Sequence, residues 1–290
     1  MIGTRSALST AVAVLGLAAL LGPRVADPAV ALGAERLVAE RAARAVAALD
    51  VLREAAEPGL DAARAAAAGV VSGDDPPGPR LEEAAILIAD AERAVAPARR
   101  AVAALAAARS AWRPDASRPP APIAAGELSS ISAQLRAAVP AADAFVELRR
   151  RAVGLPSVLE EALGALDGGS IDEAERMVER ARSDHEAVAD WETDLPTLPV
   201  WIETTDAMIR SVESILAATR ADDLEAARAA AEEFAAFGDE AATADRALRI
   251  ALGEGGSALT AAPLERLAAA LGAIEAARDA SATILAQARA

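Results

Sequence analysis

The chain has 290 residues, with 44 acids against 29 bases, and it contains no lysine, cysteine, asparagine or tyrosine, so every base is an arginine. Without lysine neither a Walker phosphate loop nor a pyridoxal Schiff base can be built, and without cysteine there are no disulfides, zinc ribbons or thiol nucleophiles. An aromatic content of 2% beside abundant alanine excludes a sandwich or barrel, whose strands need β-branched and aromatic residues, and favours helix throughout. The fold class is therefore all-α: antiparallel helical hairpins and a bundle held by coiled-coil-like alanine/leucine seams, preceded by an N-terminal signal or anchor helix. The joint depletion of lysine, asparagine, tyrosine and phenylalanine is what G+C-rich coding produces, and carries no functional message.

At the N-terminus Arg5 precedes an uncharged run from Ser6 to Pro23, and Ala29, Val30 and Ala31 offer a small-x-small cleavage pattern. Residues 1–31 read as a Sec-type signal peptide. The alternative is an uncleaved anchor over residues 6–23, a run a little short of the ~20 apolar residues a spanning helix needs.

Residues 32–112 read as an antiparallel helical hairpin. The first seam runs Val38, Ala42, Ala45, Leu49, Leu52, Ala56, Leu60, Ala63, Ala67, Val70, and the second Leu81, Ala84, Ile88, Ala91, Val95, Ala98, Val102, Leu105, Arg109, Trp112. Alternating steps of three and four put each series on one helix face. Prolines in the connecting stretch 72–80 stop the first helix and let the second fold back on it. Pro58 and Pro97 are expected to bend or break their helices.

Residues 113–126, with four prolines, read as a linker, and residues 127–290 as an acidic helical bundle. Its helices are expected near 127–153, 156–166, 171–193, 199–220, 222–252 and 261–289. Seams include Leu128, Ile131, Leu135, Ala138, Ala142, Phe145, then Leu224, Ala227, Ala231, Phe234, then Leu264, Leu267, Leu271, Ile274. Ser170 with Glu173 forms a capping-box pattern, Asp222 or Asp223 is placed to cap the next-but-one helix, and Pro199 suits a first helical turn. The triple run Arg149, Arg150, Arg151 is expected at a helix end, where cations meet the negative dipole.

Residues 1–145 carry 16 acids and 15 arginines, whereas residues 146–290 carry 28 acids and 14 arginines. The acidic half repels nucleic acid and anionic lipid, so neither is an expected partner, and the membrane is met only through the N-terminal segment.

His185 is the one histidine, and the spacing Ala174, Val178, Ala181, His185, Val188 puts it on an apolar seam, where a neutral, hydrogen-bonded histidine is expected. No metal is expected. A zincin needs a second histidine four residues on, where Ala189 stands, and a carboxylate-bridged bundle needs Glu-x-x-His, where Arg182 stands. A serine triad would have to use His185, and no Gly-x-Ser-x-Gly elbow is present. No enzyme activity and no cofactor are expected. The one stretch suggesting a pocket is Trp191 to Trp201, with His185 or Glu192 orienting a ligand between the two tryptophans.

The function expected is an exported or membrane-tethered helical-bundle scaffold of the cell envelope, extracytoplasmic, binding protein partners there, with self-association compatible with the seams. The alternative is an extracytoplasmic solute- or cation-binding bundle with a pocket at His185, Trp191, Glu192 and Trp201.

Overall fold

A computed structural model describes residues 28–73, 76–191 and 195–290. The anchor alternative over residues 6–23 and all but the last four residues of the expected signal over residues 1–31 lie outside the described residues; residues 28–31, with the expected cleavage pattern, form the start of the first helix. Among these there are six helices and no strand: α1 (Pro28–Ser72), α2 (Gly78–Trp112), α3 (Glu127–Asp167), α4 (Ile171–Ala189), α5 (Leu198–Arg220) and α6 (Leu224–Gln287). None of the described helices is long and apolar enough to cross a membrane.

The periodicity of the sequence becomes the buried face almost residue for residue. On α1 Val38, Ala42, Ala45, Leu49, Leu52, Ala56, Leu60, Ala63 and Val70 are buried, with Ala66 in place of the expected Ala67. On α2 the buried series runs from Leu81 to Leu105, while Arg109 and Trp112 are only half-buried. Alanine at five of the ten buried seam positions of α1 allows a close approach of the neighbouring helix. At Gly59 of α1 a Cβ would stand 2.5 Å from Cγ1 of Ile88 on α2, so glycine is what permits that approach. A contact between positions 59 and 88, about equally far from the end of α1 at Ser72 and the start of α2 at Gly78, is that of an antiparallel pair. α1 stops at Gly73, whose φ of +76° suits glycine and whose amide bonds back to the Gly69 carbonyl at 2.8 Å.

α1 and α2 run unbroken through Pro58 and Pro97, and the two gaps expected at 154–155 and 253–260 do not occur. α3 runs through Pro140 and Pro156, and α6 through Pro263. A proline inside a helix costs about 3 kcal/mol through the missing amide and a clash with the preceding turn. Around Pro156 that cost is set against burial of Ala152, Leu155, Val158 and Leu159 on one continuous face. The arginine run is likewise not at a helix end but inside α3, where Arg150 and Arg151 both pair with Glu147 and Arg151 reaches Asp184 of α4 at 3.3 Å.

Caps divide in the same way. Asp223 accepts the Ala226 amide at 3.0 Å and caps α6, while Ser170 makes no side-chain cap to α4. Glu92, far away in sequence, caps α3 instead by accepting the amides of Gly126 and Leu128 at 2.8 and 3.1 Å.

The chain divides into two compact units that are not sequential. One takes residues up to Ala63, Glu82–Arg136 and Pro263–Ala290; the other takes Arg64–Leu81 and Ala137–Ala262. In the first, Ser132 of α3 donates to the Ala85 carbonyl of α2 at 2.7 Å, Arg266 of α6 binds Glu127 at 2.7 Å, and Arg278 of α6 binds Asp50 of α1 at 2.5 Å. Ile123, in the non-helical stretch between α2 and α3, is buried there as well. The second unit holds α4, α5 and the first part of α6, and with them every candidate site residue of the sequence.

Candidate functional site

α4 is strongly amphipathic, and its buried residues are Ala174, Val178, Ala181, His185 and Val188, the series its spacing predicts. His185 is 6% exposed. Its Nε2–H donates to the Ile202 carbonyl of α5 at 3.0 Å, and its ring lies on the Trp201 indole with centroids 6.1 Å apart and planes 23° apart. A carbonyl only accepts, so Nε2 carries a proton and its lone pair is not offered to a metal. Trp201, 1% exposed, is among the largest fully buried side chains. Trp191 goes elsewhere: it is half-buried against Phe145 of α3, edge to face, with centroids 5.8 Å apart. Glu192 lies outside the described residues. The structure therefore brings together His185 and Trp201 and sets Trp191 on a different ring. Among the described residues no three histidine or carboxylate side chains come together to hold a metal ion.

Trp201 also borders a cleft of about 460 Å³, lined from α3 by Leu155, Pro156, Leu159 and Glu160, from α5 by Thr205 and Met208, and from α6 by Phe234, Gly238, Ala241, Ala242, Asp245, Arg246 and Arg249. Neither His185 nor Trp191 lines it. Sequence reasoning missed these residues, although a signal existed: Phe234, Gly238, Ala241, Asp245 and Arg249 step by four, three, four and four along one face of α6. That face has small residues, Gly238 and Ala241, at its middle.

A second groove, of about 410 Å³, opens between α5 and α6 and is lined by Val200, Glu203, Ala207, Glu233, Phe237 and Glu240 among others. The two grooves share a cause. The expected seam Leu224, Ala227, Ala231, Phe234 is not covered: Leu224 is 81% exposed, Ala231 is exposed, and Phe234 and Phe237 are half-buried. Hydrophobic spacing makes the helix amphipathic, but in this stretch only Ala230 is buried.

The chain matches no protein-family profile, no curated protein and no solved structure.

α4 and α5 are tied at their edge by an ion-pair network. Arg182 binds Asp206 at 2.6 Å and Glu213 through two nitrogens at 2.8 and 3.2 Å, and Arg210 also reaches Asp206. Burial alone would raise the Asp206 carboxyl, but the hydrogen bonds and charges of Arg182 and Arg210 outweigh it and hold the group below the ordinary carboxylate range. Burial would likewise lower the Arg182 guanidinium, and Glu213 and Asp206 together raise it instead. A depressed carboxyl stabilises the fold above the unfolded-state pKa, and that contribution is lost as pH falls through the folded value. Because the pair is partly wet, the effect is discounted to about 1 kcal/mol. Asp206→Asn should accordingly be less stable than the wild type at pH 7 by about that amount, with the gap closing as pH falls through the depressed pKa of the folded carboxyl. Urea titrations at pH 7 and in acid measure it, and a gap independent of pH would rule out the ionised Asp206 as its source.

Proposed function

We propose that the protein is a non-catalytic interaction scaffold of the cell envelope, and that the second unit docks a basic amphipathic helix of a partner in the groove between α5 and α6. The observation that carries this reading is the groove itself. Its lining is mixed: Val200, 52% exposed, Ala207 and the half-buried Phe237 stand beside Thr204, Ser211 and Ser214. Its rim holds Glu203, Glu233 and Glu240, all exposed and, among the described residues, in no ion pair; the one arginine there, Arg210, is engaged by Asp206. Unneutralised carboxylates around the apolar side chains of Val200 and Phe237 are complementary to a helix that sets lysines or arginines beside a few leucines. The extracytoplasmic setting rests on the leader-like residues 6–23 alone.

Fluorescence anisotropy with a labelled leucine–lysine amphipathic peptide tests the reading. Binding should weaken as salt rises and should fall about tenfold or more in the triple variant Glu203→Gln, Glu233→Gln, Glu240→Gln, which leaves the floor unchanged. Equal affinity in the triple variant, or equally tight binding of a leucine–glutamate peptide, would overturn it.

A further inference from the structure

The cleft beside Trp201 is open because its α6 wall is made of small residues. A Cβ at Gly238 would meet nothing within 4 Å, and Ala241 and Ala242 continue the same wall opposite Leu155 and Leu159 of α3. Its size falls in the ~300–1,000 Å³ range of small-molecule sites, and its floor has the character of one, a thioether and a phenyl ring from the half-buried Met208 and Phe234, backed by the buried indole of Trp201. Thr205, 5% exposed, adds a hydroxyl to that wall.

The charges at the mouth narrow the ligand. Asp245 and Arg249 lie 2.6 Å apart and neutralise each other. That leaves Glu160 on α3 and Arg246 on α6, both exposed and, among the described residues, in no ion pair. A purely anionic ligand would meet repulsion from Glu160 and from the acidic half of the chain around it, and a purely cationic one would meet Arg246. A molecule bearing one charge of each sign on an apolar body satisfies both.

We propose that this cleft binds a small zwitterion with an apolar side chain, the class of free aromatic and branched aliphatic amino acids. The carboxylate lies in the guanidinium fork of Arg246, the ammonium faces Glu160, and the side chain lies on Met208 and Phe234. This site is separate from the acid-rimmed groove at Phe237, and each can fail without the other.

Isothermal titration calorimetry of the full chain with L-tryptophan and L-leucine tests the proposal, with tryptamine and indole-3-propionate as the singly charged comparisons. Saturable heat is expected with the zwitterions, and affinities about tenfold or more weaker for tryptamine and indole-3-propionate than for L-tryptophan. Arg246→Gln, an exposed position that does not endanger folding, should weaken L-tryptophan about tenfold and bring it level with tryptamine. Gly238→Leu should abolish binding by filling the wall, with circular dichroism verifying that the helices persist. No heat with either amino acid, binding of tryptamine or indole-3-propionate as tight as that of L-tryptophan, or unchanged affinity in Arg246→Gln would each overturn it.

Discussion

Replacing Trp201 with alanine is expected to cost about 3–5 kcal/mol of stability, the largest loss from any single truncation in the second unit. The indole is 1% exposed and has the His185 imidazole stacked on it. Truncation removes its transfer energy and leaves the ring plane of His185 facing a void. The His185 hydrogen bond to the Ile202 carbonyl depends on the same alignment of α4 with α5. Trp191→Ala is the comparison: that ring is half-buried with one aromatic partner, and its loss should cost clearly less. Urea denaturation followed by circular dichroism separates the two. A Trp201→Ala protein within 1 kcal/mol of the wild type would mean that the indole does not anchor α5.

Ala45→Asp should be comparably damaging, by several kcal/mol, while Ala47→Asp on the same helix should stay near the helix-propensity cost of about 0.5–0.7 kcal/mol. Ala45 is 0% exposed and sits in the run Ala42, Ala45, Leu49, Leu52, all fully buried; Ala47 faces water. A carboxylate at position 45 has no room and no donor, so it must either take up a proton or force α1 away from its neighbours. The two variants have the same composition and charge and differ only in the face they occupy. Equal denaturation midpoints would contradict close packing along the alanine seam.

The histidine shows how far local pattern reaches. Its steps of four, three, four and three place it on the buried face of α4, and there it lies, because side-chain direction on a helix follows from chain position alone. What the pattern does not contain is its neighbour. Trp191 and Trp201 sit at the two ends of one short corner, yet only Trp201 meets His185, while Trp191 turns to Phe145 of a helix more than forty residues earlier. Prolines misled for a related reason. Their local cost is readable, but whether the neighbours Ala152, Leu155, Val158 and Leu159 are buried, and so offset it at Pro156, is decided by packing. The Ser170 cap failed and the Glu92 cap went unforeseen for the same cause, since Glu92 is a distant residue brought to the α3 N-terminus by packing.

Secondary structure and seam register were therefore set by the order of residues alone, because helix propensity and the 3.6-residue period act within a few positions of the chain. Which seams find a partner was decided only in three dimensions. An alanine-rich face fits many others about equally well, so nothing in its own pattern distinguishes the buried run at Ala42 to Leu52 from the open one at Leu224 to Phe237. The two grooves along α6 exist because that helix was left uncovered there, and that is a property of the assembled helices, not of any one segment.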